Sequence, residues 1–152
     1  MRAFFALPLL LAPVALLASD TPAGAADAAA GPIRSPMQLE AHLLAAGYRN
    51  VFDIDLDDGL WEAKVRKPGG LWREVAVDPA SGRIYEGGAS RSVETLNTVT
   101  DVVVAHDYTM LELAEPDGAL WEVEATDARG QCVGLRVDPV SRSIVQRLPD
   151  DC

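Results

Sequence analysis

The chain has 152 residues, and its 13 lysines and arginines against 23 aspartates and glutamates give a net charge of −10. Nucleic-acid binding needs a basic surface, and attraction to an anionic membrane also needs positive charge, so this composition argues against both partners. We interpret the acidity as a source of solubility, while a basic protein partner stays open.

The N-terminus, residues 1–25, has the pattern of a cleavable signal peptide. Arg2 provides the positive charge, an apolar stretch follows through Leu17, and Ala23 and Ala25 fit the small-x-small rule for cleavage. The alternative is a membrane anchor, but the apolar run is shorter than the roughly 20 residues that span a bilayer. We therefore expect an exported protein, periplasmic or extracellular, without stable membrane insertion after cleavage.

The first helix is expected to follow an alanine-rich, flexible lead-in at residues 26–34. Ser35 is suited to the N-cap, Pro36 to the first helical position, and Gln38 completes a capping box. Gly47 is a helix stop signal. Five apolar residues recur at helical spacing: Met37, Leu39, Ala41, Leu43 and Leu44. The helix must therefore pack its apolar face on another element.

From Val51 to Ile84, apolar and polar side chains alternate, which predicts a meander of three or four antiparallel strands. The side chains expected to face inward are Val51, Ile54, Leu56, Trp61, Ala63, Val65, Leu71, Val75, Val77 and Ile84. Asp78 begins a tight turn before the last strand. Pro79 presets the backbone torsion of this turn, and Gly82 can adopt the left-handed conformation that the turn needs.

The meander is repeated sixty residues later in the chain. Between Trp61 and Ile84, the identical pairs are Trp61/Trp121, Glu62/Glu122, Gly70/Gly130, Val77/Val137, Asp78/Asp138, Pro79/Pro139, Ser81/Ser141 and Ile84/Ile144. Leu111 and Leu113 are expected to form the first strand of this copy, and Glu115 to Gly118 the turn after it. Arg142 stands where the first copy has glycine. A repeat of this length sets the unit of folding.

Residues 92–105 are expected to form the helix of the second copy, by analogy with the first. Val93, Leu96, Val99 and Val103 recur at helical spacing. The threonines and adjacent valines of this segment are β-branched and therefore poor helix formers. A strand is the alternative.

These patterns predict an α+β fold of two tandem units, at residues 35–90 and 91–152, each a helix packed on a three- to four-stranded antiparallel meander. The unit resembles the PepSY domain family, in the Gly47-Tyr48 helix end, the strand from Leu60 and the Asp-Pro-x-Ser-Gly turn at Asp78. The resemblance is clear over residues 35–86 and weaker over 92–147, where Arg142 departs from the pattern.

The resemblance implies a secreted, non-catalytic α+β module. The family occurs in propeptides of secreted metallopeptidases and in stand-alone envelope proteins, and is linked to restraining proteases. A peptidase-like envelope or secreted protein is thus the implied partner. The family offers no catalytic residues and no cofactor to carry over to this chain.

Cys132 and Cys152 are the two cysteines, and export favours a disulfide between them. Such a bridge would stabilise the fold by about 3 kcal/mol in the chain-entropy treatment. Free thiols and an intermolecular bridge are the alternatives. The absence of a Cys-x-x-Cys sequence argues against a redox enzyme.

The acidic run from Asp53 to Asp58 suggests calcium, but it lacks the pattern of a calcium loop. Its glycine, Gly59, comes one residue late, and Lys64 stands where the bidentate glutamate belongs. We interpret the run as the solvated face of a strand. His42 and His106 have no second ligand at zinc-like spacing, and no serine lies in a nucleophile motif, so neither a metal site nor a catalytic site is expected.

The three tryptophans receive different interpretations. Trp61 and Trp121 face inward and are interpreted as core residues, with a ligand platform as the alternative. Trp72 and Tyr85 lie on the outer face of the sheet, where they form either a contact surface for a partner or the face that packs against the second unit.

The sequence therefore favours a non-catalytic, exported protein-binding or protease-restraining module. The alternatives are a small envelope metal-binding protein or enzyme that uses Asp53–Asp58, and a purely structural envelope component. The residues expected to be structural are Trp61, Trp121, Asp78, Pro79, Gly82, Asp138 and Pro139.

Overall fold

A computed structural model describes residues 31–86 and 91–151, which form an α+β fold with two helices and two antiparallel sheets. The first half contains α1 (Pro36–Ala45), β1 (Asn50–Asp57), β2 (Leu60–Arg66), β3 (Trp72–Val77) and β4 (Ile84–Tyr85). The second contains α2 (Val93–Ala105), β5 (Thr109–Met110), β6 (Glu115–Asp117), β7 (Leu120–Thr126), β8 (Cys132–Asp138) and β9 (Ser143–Pro149). The proposed signal peptide lies outside the described residues.

The strand order is β1-β2-β3-β4 in the first sheet and β5-β7-β8-β9 in the second, where β6 also pairs with β7. Each helix packs on the sheet of its own half, so each half has its own apolar core. In neither described range is there a helix with the length and apolar character needed to cross a membrane.

Helix α1 begins at the residues that the sequence indicates. The Ser35 side chain accepts a hydrogen bond from the Gln38 backbone N–H. The Gln38 side chain accepts in turn from the Arg34 N–H, one residue before the N-cap. Leu39 and Leu43 are fully buried. Met37 was expected on the same face but is exposed, because two residues before Leu39 is nearly the opposite side of a helix.

Helix α2 covers Val93–Ala105, which confirms the helix expected there and excludes the strand. Ser92 is its N-cap and accepts from the Thr95 N–H. The β-branched residues are accommodated because Val99, Val102 and Val103 are buried against the second sheet, and such packing outweighs weak helix propensity.

The segment before β7 differs from the sequence-based expectation. Leu111 and Leu113 form no strand and are exposed, whereas β6, which was expected to be a turn, pairs with β7. Pro116 is compatible with this pairing because β6 has β7 as its neighbour and needs no donor on its other edge. Leu56 and Leu71 were also expected inside the core, but both are exposed; Leu71 precedes β3.

The two Asp-Pro turns have the same hydrogen bonds. The Asp78 carboxylate accepts from the Ala80 N–H and from the Ser81 hydroxyl, both at 2.8 Å. Burial raises the pKa of Asp78, but these donors outweigh it and leave the pKa below its usual value. The Asp138 carboxylate accepts from the Val140 N–H at 3.0 Å and from the Ser141 hydroxyl at 2.6 Å. Each aspartate therefore fixes the turn that follows it.

The Gly82 position shows why the two turns can carry different residues. Gly82 has φ +72°, and a Cβ there would lie 3.1 Å from the His42 ring. His42 is half-buried, and its Nε2 lies 2.7 Å from the Gly82 carbonyl oxygen. Arg142 adopts a similar φ of 54° and extends toward Asp101 of α2.

A third apolar cluster joins the two halves. It contains Leu60, Ala76 and Tyr85 from the first half and Ala119, Leu120 and Val145 from the second. The outer face of the first sheet is therefore covered at one end by the second half. The rest of that face, around Phe52 and Trp72, is exposed.

Candidate functional site

Trp72 and Tyr85 lie on the outer face of the first sheet but in different surroundings. Tyr85 pairs with Ala76 and is 7 % exposed, because the second half covers it. Trp72 is 50 % exposed. The expectation of a shared exposed surface is therefore wrong for Tyr85, which packs between the halves. Trp72 is exposed, and its role in a contact surface stays a prediction.

Trp72 has an aromatic neighbour that the sequence interpretation missed. The ring of Phe52 lies 5.4 Å from the Trp72 ring, centroid to centroid, at an interplanar angle of 48°, and Phe52 is 54 % exposed. Strand pairing brings the two together. Phe52 of β1 is paired with Lys64 of β2, and Trp72 of β3 is paired with Arg66 of β2, so the two rings lie on either side of β2. Strict alternation back from Ile54 and Leu56 would have placed Phe52 on the inner face, and the irregularity between Phe52 and Asp55 places it on the outer face instead.

Charged side chains surround this aromatic pair. The Arg66 guanidinium lies 5.1 Å from the centre of the Trp72 ring, a cation–π contact. Lys64 pairs with Asp53 at 3.0 Å and with Glu74 at 4.0 Å. We call Phe52, Lys64, Arg66, Trp72 and Glu74 the aromatic surface. Exposed aromatics beside an arginine are typical of protein contact surfaces, where such residues provide most of the binding energy.

The acidic run does not act as one group. Asp53 bonds to Lys64, whereas Asp57 and Asp58 lie 3.1 and 3.6 Å from the guanidinium of Arg136 in β8. Asp117 also bonds to Arg136, which is only 4 % exposed. These ion pairs join β1 and β6 to β8 and so connect the two halves.

The acidic group at this junction has the spacing of a cation site. Carboxylate oxygens of Asp57, Glu62 and Asp117 lie within 4.8 Å of one another. Arg136 already places a positive charge against Asp57 and Asp117. The arrangement is therefore an ion-pair network with a built-in cation, and it gives no support to a metal ion in that place.

Glu62 allows a test of this junction by pH. Burial and then nearby Asp57 and Glu74 raise its pKa, and Arg136 opposes them without cancelling the shift. Because the folded-state pKa exceeds the unfolded one, ionisation of Glu62 opposes folding as the pH rises. Glu62→Gln is therefore expected to raise the Tm at about pH 7, with a gain that shrinks toward about pH 4.

The matched control for this prediction is Glu40→Gln, an exposed glutamate on α1 that is not among the charges acting on Glu62. Thermal melts at both pH values should show little change for the control. A Glu62→Gln variant that is less stable than the wild type at neutral pH would contradict the raised pKa.

One family model, described as peptidase propeptide and YPEB domain (PepSY), matches residues 2–88. The match covers more than half of the 152 residues. The chain belongs to the PepSY family. The search of curated proteins and the search of solved structures each returned no match.

PepSY domains are in general non-catalytic, exported propeptide domains. The PepSY match includes β1 to β4, and hence Phe52 and Trp72 of the aromatic surface. It ends before α2, so Arg136 and Trp121 lie beyond it. Family membership therefore rests on the first half of the chain.

The remaining candidates have local roles in this PepSY protein. The Nδ1 atom of His106 lies 2.8 Å from the Val102 carbonyl oxygen at the end of α2. Cys132, at the start of β8, is half-buried and is not a free thiol. Its expected partner, Cys152, lies outside the described residues, so the bridge between them stays a prediction.

Proposed function

We propose that this protein is an exported, non-catalytic module that binds another protein through the aromatic surface. The observation that carries the proposal is the Phe52–Trp72 pair, two large aromatic side chains that are half exposed on a sheet face. Family membership supports the non-catalytic class, and the signal-peptide pattern of residues 1–25 supports export to the periplasm or the medium.

The partner class follows from the family. PepSY domains belong to peptidase propeptides, so the partner proposed here is a secreted or envelope peptidase, and the effect of binding is to restrain it. A stable complex would bury the two rings and the Arg66 guanidinium together, and residues of these types carry most of the energy in protein interfaces.

The second half is proposed to be a further PepSY-like unit, with boundaries at residues 35–90 and 91–152. Its support is the shared register: Trp61 pairs with Val77 and Trp121 with Val137. Both helices begin at a serine N-cap. A disulfide between Cys132 and Cys152 would tie the end of this unit to β8.

Site-specific crosslinking tests the aromatic surface. A photoreactive phenylalanine analogue is placed at position 52 of the tagged full-length chain, which is expressed in its own envelope. The control carries the analogue at Val140, which is exposed in the second half. We expect one dominant protein adduct from position 52 and none of the same mass from position 140.

Trp72→Ala in the same chain gives the quantitative arm of the experiment. Loss of a central aromatic anchor costs at least about 2 kcal/mol, which corresponds to roughly 30-fold weaker binding to the identified partner. The partner's peptidase activity should fall when the wild-type protein is added. The absence of an adduct from position 52, or identical adducts from both positions, would favour a structural envelope component instead.

A further inference from the structure

A pocket of about 380 Å³ opens in the second half, beside the start of α2 and the segment before β7. Its apolar lining comes from Val93, Leu96, Leu113, Ala114 and Trp121. Leu113 and Val93 are exposed although they are large apolar residues. The pocket is separate from the aromatic surface, which lies on the first sheet.

Trp121 supplies an unused hydrogen-bond donor at this pocket. Its side chain is 4 % exposed, and among residues 31–86 and 91–151 no atom accepts from its Nε1. A buried donor without an acceptor is rare, since leaving it unpaired costs free energy that an added acceptor would recover. This donor distinguishes the pocket from a chance apolar depression.

In the first half, the indole N–H of the equivalent tryptophan, Trp61, has an acceptor. Trp61 Nε1 donates to the carbonyl oxygen of Ile33 at 2.9 Å. The Ile33 N–H donates to the carbonyl oxygen of Pro79 at 2.7 Å, and the Ile33 side chain is buried in the first core. The segment before α1 therefore fills the space beside Trp61 with the aliphatic side chain of Ile33 and supplies the acceptor for its indole N–H.

The second half has no such side chain at the corresponding sequence position. Ile33 stands two residues before the N-cap Ser35, and the residue two before the N-cap Ser92 is Ser90. The preceding residues 87–89 are Gly-Gly-Ala. Leu96, which corresponds to the fully buried Leu39, is only partly buried. Residues 87–90 thus contain no aliphatic side chain larger than that of alanine.

We propose that this pocket binds an extended peptide segment of another protein through one aliphatic side chain. The side chain enters beside Leu96 and Trp121, and the backbone carbonyl of the same residue accepts from Trp121 Nε1. Pro139 corresponds to Pro79 and offers its carbonyl oxygen to the peptide N–H. This proposal stands independently of the aromatic surface.

The chain supplies its own probe for the test. The blocked peptide acetyl-Gly-Pro-Ile-Arg-amide, which has the sequence of residues 31–34, is titrated into ¹⁵N-labelled full-length protein. The three tryptophans give three indole N–H signals, assigned by single Trp→Phe variants. We expect a saturable shift of the Trp121 signal, with those of Trp61 and Trp72 unchanged.

Two controls define the interaction. A peptide with serine in place of isoleucine should leave the Trp121 signal in place, because it lacks the aliphatic side chain. Trp121→Phe keeps an apolar ring but removes the donor and should weaken binding about fivefold, the worth of one hydrogen bond. Trp72→Phe, on the other sheet, should bind the isoleucine peptide with the affinity of the wild type. Calorimetry measures the affinity of both variants.

Two results would overturn the proposal. The first is an unchanged Trp121 signal at millimolar peptide. The second is an equal shift with the serine peptide.

Discussion

Trp61→Ala is expected to lower the free energy of unfolding by about 3–5 kcal/mol, the usual cost of truncating a large buried aromatic residue. The substitution leaves a cavity between α1 and the first sheet. It also removes the donor to the Ile33 carbonyl, so Ile33 loses one of its two backbone hydrogen bonds. Urea denaturation of the wild type and the variant measures the loss.

Trp72→Ala is the matched control, because it removes the same side chain from an exposed position. Its cost should be about 1 kcal/mol or less, from partial burial and the Arg66 contact. Equal losses at positions 61 and 72 would contradict the assignment of Trp61 to the core and of Trp72 to the surface.

Arg136→Met is expected to cost about 3 kcal/mol, the lower end of the range for removing one partner from a buried ion pair. Methionine fills much of the same space but leaves the carboxylates of Asp57, Asp58 and Asp117 facing one another without a cation. These carboxylates are about half exposed and can regain water, which places the loss at the low end. Urea denaturation provides the measurement.

Arg147→Met is the control for this second prediction. Arg147 pairs with Asp127 at 3.1 Å but is exposed, so its removal should cost less than about 1 kcal/mol. Adding Asp57→Asn and Asp117→Asn to Arg136→Met should restore part of the stability by removing the uncompensated charge. Failure of this rescue, with the single variant still unstable, would point to lost packing around Arg136 instead of charge.

The sequence predicted those parts of the fold whose causes are local. The Ser35 cap, the alternation of β2 and the Asp-Pro turns depend on residues a few positions apart. Helix α2 was harder to predict, because its valines favour strands until a sheet covers them.

The parts that were missed depend on contacts between distant residues. Tyr85 has the pattern of an outward residue, and only the position of the second half makes it buried. Arg136 also occupies an outward strand position, and one of its partners, Asp57, is 79 residues away in sequence. Phe52 was missed because an irregularity in β1 interrupts the alternation after it.

The cluster between the halves has a consequence for self-association. Leu60 and Leu120 are equivalent positions of the sequence repeat, and so are Tyr85 and Val145. The chain therefore meets itself through matching patches, as identical subunits do across a two-fold axis. Because the patches belong to one polypeptide, their association is intramolecular, and we expect it to be independent of protein concentration.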